Sequence, residues 1–450
     1  MGETLAAAWN RFWYTPSSAR LLGVQRAVFY GIAWLTALNI IECPWAPPQD
    51  WAQLDPMFWS PTINWQLLST SPPSPEFIAL LAGLYEVALL TSCLGLMTRT
   101  STVVAGASGY LILTYVNCWG VRYHQTYAVG LILLILAVAP SGEAFSLDSL
   151  LSKRDRPDLD ARYTWPSRLV WVGLSFVFLA AGAAKLMASG ASWIFSDNFS
   201  LLLKRGFYFP YTGSPEVDWG LMIAESPILC RTLALTTVAL EILYPLGLLA
   251  GCARTRWGRR LAQAVPLAMM LSVVGFNVIL GRTFYGLVAA HIFWLIPASE
   301  PLPPGEVSKR HRLLLNFALG LVVAGSLGAF VLRASPFPFS YYPMYARLLR
   351  PEFTRYRIYG VKDSREVPLW DEREKSLAPT NRWVIDIALR RHRTNGKDLE
   401  HLLGVCLELA RRNGQDFDQL RAYQCTWRIE SGAANLRDPQ RRLLAEKVAP

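Results

Sequence analysis

The segment FLAAGAAKLMASGASW, residues 178–193, is apolar and alanine-rich, yet it carries one lysine, Lys185, close to its end. A lysine in hydrocarbon is costly, so it snorkels to the interface, pairs with an acid, or takes part in chemistry. Ala181, Gly182, Lys185 and Ser189 share one helix face, and small residues there admit a close neighbour. That face reads as a packed interface. A second polar cluster, NCWGVRYHQTYAVG (117–130), sets His124 at the start of another apolar segment, beside Tyr123 and Gln125. In a low-dielectric pocket the charged form of a lysine is disfavoured, and the neutral amine is a base. A neighbouring histidine can donate a hydrogen bond to a developing oxyanion. The plain alternatives are a snorkelling lysine and an interfacial histidine, and residue type with topology alone favours them.

Three further charges fall inside apolar segments: Arg26, Glu86 and Glu241. Each costs about 3 kcal/mol in a membrane span, so each should face protein and find a partner. An Arg26–Glu86 pair between neighbouring helices is expected, as a structural ion pair that fixes register. Other chemistry-bearing patterns are absent from the sequence: there is no glycine-rich phosphate loop, no Gly-x-Ser-x-Gly elbow and no His-Glu-x-x-His helix. No metal is expected, since the cysteines lack ligand spacing. His291 lies late in its segment, nearer the cytoplasm, whereas His311, His392 and His401 read as solvated surface.

These residues sit in a chain of 450 residues that is 52% hydrophobic and only 17% charged, where soluble proteins carry about a quarter charged residues. The apolar residues form nine blocks near 21–42, 77–97, 101–118, 123–140, 168–188, 228–250, 261–281, 284–297 and 313–333, most long enough to cross about 30 Å of hydrocarbon. The eighth is short and the fourth opens with polar residues. The expected fold is an all-α polytopic membrane bundle of about nine transmembrane helices. Residues 1–20 lack the features of a signal peptide; LAAAWNRFWY reads as an interfacial helix with Trp9, Phe12, Trp13 and Tyr14 at headgroup level.

Arg11, Arg20, Arg99, Lys153, Arg154, Arg156, Arg162, Arg168, the basic residues of 254–260 and those of 309–312 fall on the N-terminal side of the alternating spans. Only Arg122, Lys204, Arg205, Arg231 and Arg282 fall opposite. The positive-inside rule therefore puts the N-terminus in the cytoplasm, and the net charge of +11 needs no nucleic-acid partner. Lys185 and His124 both reach the outer face. Residues 21–333 form the transmembrane domain, and residues 334–450 form a small extracytoplasmic α+β domain. In that domain TRYRIYGVKDSREVPL reads as a hairpin turning at Lys362–Ser364, GKDLEHLLGVCLELARRNG as an amphipathic helix and LRAYQCTWRIES as a strand. Cys406 and Cys425 are either a disulfide of an oxidising compartment or two buried thiols.

The apolar blocks also resemble one another. LYEVALLTSCLGLMTRTSTVVAGASGYLILTYVN and ALEILYPLGLLAGCARTRWGRRLAQAVPLAMMLSVVGFN each hold an intramembrane Glu, a basic turn and a span ending in Asn (Asn117, Asn277). Each is followed by an outside arginine and a helix running to proline (Pro140, Pro297). With the preceding spans this suggests a four-span direct repeat.

At its polar residues the chain resembles a known family. AGAAKL with the downstream Trp193 is similar to the active-site lysine segment of the vitamin K-dependent gamma-glutamyl carboxylases. YHQTYAVGLILLILAVAPSGEAFSLDSLL resembles the segment holding their functional histidine, and LGVQRAVFYG and GLMTRT also look like the wider horizontally transferred transmembrane (HTTM) domain family. The resemblance covers roughly residues 15–333. It implies that Lys185 is the base and His124 the stabiliser of the transition state, with Tyr123, Asn117 and Trp193 as substrate or cofactor contacts. It also implies a cofactor, reduced vitamin K or menaquinone, that the lysine deprotonates and that then consumes dioxygen. The resulting base takes a gamma proton from a glutamate of a secreted peptide or protein substrate, carbon dioxide is captured and an epoxide leaves. The setting implied is a bacterial inner membrane, with lipid as a further partner. Two departures stand out. Ala184 replaces a second lysine of the animal enzymes, and about 115 residues replace their much larger outer domain. The alternatives are a non-catalytic membrane maturation or export factor and, from the repeat and intramembrane carboxylates, a transporter.

Overall fold

The computed structural model describes residues 4–39, 47–120, 122–152, 158–208, 219–280, 284–295, 302–369, 382–429 and 439–449. Cys43, Lys153, Arg154, Arg156, Arg282 and Pro297, named above, lie outside the described residues. The helices up to residue 333 are α1 (Leu5–Tyr14), α2 (Ala19–Ala37), α3 (Pro75–Leu94), α4 (Thr98–Tyr115), α5 (Gln125–Val138), α6 (Trp165–Ser189), α7 (Asn198–Tyr208), α8 (Pro227–Leu243), α9 (Arg256–Leu280), α10 (Tyr285–Ala290) and α11 (Lys309–Val331), with short helical turns between them. Local chemistry sets their starts. The Ser18 hydroxyl accepts from Arg20 N and Leu21 N at the head of α2. Ser74 before Pro75 and Ser226 before Pro227 begin α3 and α8 in the same way, a side-chain cap followed by proline at the first helical position.

Each of the nine apolar blocks is helical over most of its described residues, but among the described residues only five helical segments are long and apolar enough to cross a membrane: Pro75–Leu94, Ala161–Ser189, Pro227–Cys252, Arg256–Ile279 and Lys309–Val331. The nine expected spans are not all of that kind, for two reasons. α2 and α4 have the length, at 19 and 18 residues, but α2 carries Arg20, Gln25 and Arg26, and α4 opens on Thr98, Arg99, Thr100, Ser101 and Thr102. α5 has 14 residues, about 21 Å at the helical rise of 1.5 Å per residue, and the apolar helix at Tyr285–Trp294 is shorter still. Both short helices are instead largely enclosed by protein.

The helices pack in two groups with the same order. α2 lies on α3, α3 on α4 and α4 on α5; α6 lies on α8, α8 on α9 and α9 on α10. The fourth helix of each group rests against the first helix of the other, α5 on α6 and α10 on α2, and α5 meets α10 between them. A shared side-chain clamp closes the turn before each fourth helix: Asn117 Oδ1 accepts from Tyr123 N at 2.6 Å, and Asn277 Oδ1 from Phe284 N at 2.9 Å.

Two expectations change here. Arg26 does not pair with Glu86. Its guanidinium donates to the carbonyls of Cys93 (3.4 Å), Ser141 (3.0 Å) and Phe145 (2.6 Å), at the end of α3 and in the loop after α5. Glu86 lies seven residues before Cys93, about 10 Å further along α3 and out of reach. Gly95, at φ +69°, ends α3 there because an added Cβ would strike Ser146 and the Arg26 guanidinium. Secondly, Phe12, Trp13 and Tyr14 of α1 are buried in the protein core and only Trp9, 46% exposed, faces outward, because α1 packs on α6 and on the short helix Leu249–Cys252.

Beyond residue 333 lie a four-stranded antiparallel sheet and two helices. The two-residue pairing β1 (Ser17–Ser18) with β2 (Leu159–Asp160) ties α1 and α2 to the segment before α6. The C-terminal sheet has the order β4-β3-β5-β6, with β3 (Glu352–Lys362), β4 (Arg365–Pro368), β5 (Gln419–Arg428) and β6 (Gln440–Val448). The expected hairpin is present and turns at Asp363–Ser364, both at positive φ. The expected helix is α13 (Gly396–Arg412), preceded by α12 (Arg382–His392). Tyr356, Ile358, Leu420 and Ala422 face these helices in a core shared with Trp51 and Trp59, from the stretch before α3, and Trp119, just after α4. Phe353, Tyr359, Cys425 and Trp427 face the other way, onto Leu201 of α7. Cys406 belongs to the first side and Cys425 to the second, so the disulfide is not formed: the sheet lies between the two sulfurs.

Glu366 of β4 ties the edge strand across the sheet. Its carboxylate accepts from the Tyr423 hydroxyl (2.7 Å) and the Arg421 guanidinium (2.8 Å), with Arg441 at 3.3 Å. These hydrogen bonds, Tyr423 first and Arg421 next, hold its carboxyl below the ordinary range. Its stabilising effect is therefore complete above about pH 4.3, the unfolded value, and is lost as pH falls through the lower folded value. Melting of the full chain at pH 6 and pH 3.5 should show a larger acid-induced drop in wild type than in Glu366→Gln.

Candidate functional site

Lys185 Nζ donates to both oxygens of Glu241, at 2.7 and 2.9 Å. The lysine is only 4% exposed and the glutamate 7%, so the pair is nearly dry. The helices come close enough because of Gly182, where an added Cβ would lie 2.9 Å from Glu241 Cβ and 3.0 Å from Ile242 Cδ1. The small-residue face read from the sequence is therefore the contact between α6 and α8. Trp193 completes the surround, with Lys185 Nζ 5.4 Å from the centre of its indole ring.

The pair forms one wall of a cavity whose remaining lining is almost wholly apolar, including Phe178, Trp193, Phe276 and Phe284. Its outer rim is Tyr342, Met344 and Tyr345, which belong to the segment FPFSYYPMYA that leads out of α11. That segment is strapped down at several points. Trp193 Nε1 donates to Tyr345 O (2.7 Å), Ser189 Oγ to Ala346 O (2.7 Å), and Leu349 N to Asn198 Oδ1 (2.8 Å). Asn64 holds Phe337 by both its backbone groups, accepting from its N at 3.0 Å and donating to its carbonyl at 3.1 Å.

His124 does not line this cavity. It sits at the head of α5, half-buried, with Nδ1 3.5 Å from Ser340 Oγ and its ring beside Tyr127 and Tyr342, at centroid separations of 6.0 and 6.1 Å. Tyr342 is thus common to both places: it touches His124 and closes the lysine cavity. The two sequence candidates share one strap without being in contact. Of the candidate substrate contacts, Trp193 lines the lysine cavity. Asn117 and Tyr123 do not; Asn117 donates to Leu113 O (2.6 Å) and Thr126 Oγ1 (2.9 Å) while accepting from Tyr123 N, so its amide is used within the fold. Glu86 opens into a second cavity, taken up below.

Sequence reasoning singled out Glu241 but missed its partnership with Lys185. Counted from the helix ends, Lys185 lies one turn before the end of α6, whereas Glu241 lies four turns into α8. The two are level because α8 begins about 15 Å beyond the end of α6, over the short helix Ser192–Phe195 and α7. The usable signal was the small face Ala181–Gly182–Lys185, which calls for a close helix carrying an acid. The contributions of Tyr342 and Tyr345 come from residues far along the chain, and no local pattern reveals them. His392 and His401, read as solvated, each meet a carboxylate, Asp398 at 2.8 Å and Asp55 at 3.4 Å.

No family model matches the chain, and neither a curated protein nor a solved structure matches it.

Removing one partner of a buried ion pair leaves a lone charge, at a cost of about 3–5 kcal/mol, whereas removing both can be close to neutral. Lys185→Met and Glu241→Met should each lower the melting temperature of the detergent-solubilised protein sharply. The double variant should recover most of the loss, and additive losses would mean that the two side chains do not act as a pair.

Proposed function

We propose that the chain is a multi-pass protein of the bacterial inner membrane with a cytoplasmic N-terminus and an extracytoplasmic C-terminal domain. On this reading there are nine membrane helices, of which eight form a direct repeat, α2–α5 matched by α6 and α8–α10, and α11 is the ninth. The matching packing order, the paired Ser-Pro helix starts and the two Asn clamps support it. The resemblance to the gamma-carboxylases makes the Lys185 cavity the reaction site of a quinone-dependent epoxidase or carboxylase acting on a secreted peptide. The observation that carries this reading is a buried primary amine at the wall of an otherwise apolar, aromatic-lined cavity.

The lining fits a flat, lipophilic ring. Phe178, Phe276 and Phe284 supply apolar walls, Trp193 and Tyr345 partly polar ones, and the dry interior keeps water from competing for protons. Reduced vitamin K or menaquinone, when bound, supplies the oxidisable ring and an acidic hydroxyl. The protein's part is proton management. Lys185 is the group placed to exchange a proton with a hydroxyl in the cavity, and the Glu241 carboxylate, 2.7 Å away, is placed to take up a proton from the amine and to stabilise the ammonium while it is itself ionised. Tyr342 and the strap that carries it separate this chemistry from the outer surface, where His124 lies and where a peptide would arrive.

A second reading, a non-catalytic membrane maturation or export factor, is favoured by the same pair seen differently. Both carboxylate oxygens are engaged, which suits a clamp between α6 and α8. Lys185→Arg separates the readings, since arginine keeps the ion pair but does not become a neutral base. Membranes with wild type or Lys185→Arg would receive reduced vitamin K or menaquinone, air, bicarbonate and a glutamate peptide. The enzyme reading expects epoxide from wild type and at least about a hundredfold less from Lys185→Arg at equal abundance. No epoxide from folded wild type with either quinone would leave the clamp reading standing.

A further inference from the structure

The helix group that lacks Lys185 has a cavity of its own, bounded by α2, α3, α4, α5 and α10. Matched helix by helix, it is the counterpart of the lysine cavity: Ala33 takes the place of Ala181, Leu113 of Val273 and Glu86 of Glu241, and each of these lines its own cavity. The residue in the place of Lys185 is Ala37, which also lines the wall. One half therefore contains a carboxylate with its ammonium, and the other a carboxylate with an alanine where the ammonium would be.

Among the described residues nothing else fills that role. Among the described residues Glu86 has no hydrogen-bond or ion-pair partner, although it lies in the middle of an apolar helix and is partly buried. Gln125 lines the same cavity, is only 8% exposed, and its side-chain carbonyl Oε1 is buried without a donor. Two acceptors converge on an apolar space, and neither is satisfied. A carboxylate alone could be neutralised by a proton; a carboxylate beside an unsatisfied amide oxygen calls for several donors on one positive centre. A primary ammonium, with three N–H groups, has that form. Most of the rest of the lining, including Phe29, Ile32 and Val129, is apolar and suits a hydrocarbon body.

We propose that this cavity binds a hydrophobic organic ammonium, its nitrogen seated between Glu86 and Gln125 where Lys185 Nζ sits in the other half. The ligand is either a free lipophilic amine or the ethanolammonium group of a phospholipid. The proposal does not depend on the enzyme reading: absence of epoxide formation would leave it as it is.

The test uses the full chain in phosphatidylcholine nanodiscs, titrated with dodecylammonium, dodecyltrimethylammonium or dodecanol and followed by calorimetry. Dodecylammonium should bind at least tenfold more tightly than either analogue, since one lacks N–H donors and the other the charge. Glu86→Gln should lose that preference. Ala37→Lys, which supplies the missing ammonium from the chain itself, should also block binding and should raise the melting temperature, so the proposal stays testable if Glu86→Gln folds poorly. Equal binding of dodecanol, or unchanged dodecylammonium affinity in both variants, would overturn it. Native mass spectrometry of protein extracted with its own lipids identifies the source: phosphatidylethanolamine retained by wild type and lost in Ala37→Lys marks a lipid, and its absence alongside dodecylammonium binding marks a free amine.

Discussion

A charge placed among apolar helices calls for a partner, and much of the arrangement of this molecule follows from how Lys185, Glu241, Arg26 and Arg168 are answered. Lys185 and Glu241 answer each other, and because both are almost dry their contact fixes the spacing, rotation and offset of α6 against α8. Arg26 is met by three backbone carbonyls instead, which binds α2 to the end of α3 and to the loop after α5. The Arg168 guanidinium of α6 lies over Trp171 of its own helix, 3.8 Å from the ring centre, and over Phe12 of α1, 5.4 Å from its ring centre. The same constraint thus yields a side-chain pair, a carbonyl cradle and a cation–aromatic contact, each holding different elements together.

The outer layer follows from a different requirement. The sheet has two apolar faces, so each must be covered. The helices α12 and α13 cover one, together with the aromatic residues Trp51, Trp59 and Trp119; Leu201 of α7 and its neighbours cover the other. The C-terminal region is therefore packed on the stretch before α3, the turn after α4 and α7 rather than joined to the helices by the chain alone. The segment 335–349 is the seam: it leaves α11, fills the rim of the lysine cavity and continues into β3.

Much of this was legible in residue type and spacing. The apolar blocks, the hairpin at Asp363–Ser364, the amphipathic helix over Gly396–Arg412 and the small-residue face around Lys185 follow from periodicity and local sterics, which act over a few residues. What was not legible depends on depth and on distant parts of the chain. Hydrophobicity marked α5 as a span without revealing that its helix has only 14 residues or that protein encloses most of it, because a block's composition does not show what surrounds it. The Arg26–Glu86 expectation paired charges by neighbouring helices and ignored their height. Of the two alternatives for Cys406 and Cys425, the structure has two buried thiols, and no local pattern could choose between them because the sheet that parts them is built from distant segments. β6 was missed because its charged residues, Arg441, Arg442, Glu446 and Lys447, mask any alternation.

The exchange of fourth helices bears on how the chain is made. α2 is synthesised near the start, yet one of its flanks is covered only by α10, about 250 residues later. α5 likewise waits for α6. Until the second group follows, α2 lacks the contact of α10 and α5 that of α6. The 14-residue α5 and the six-residue α10 each gain part of their surroundings from a group other than their own. The two halves therefore complete each other only once the chain has been made as far as α10, and a truncation before Tyr285 leaves α2 uncovered on that flank.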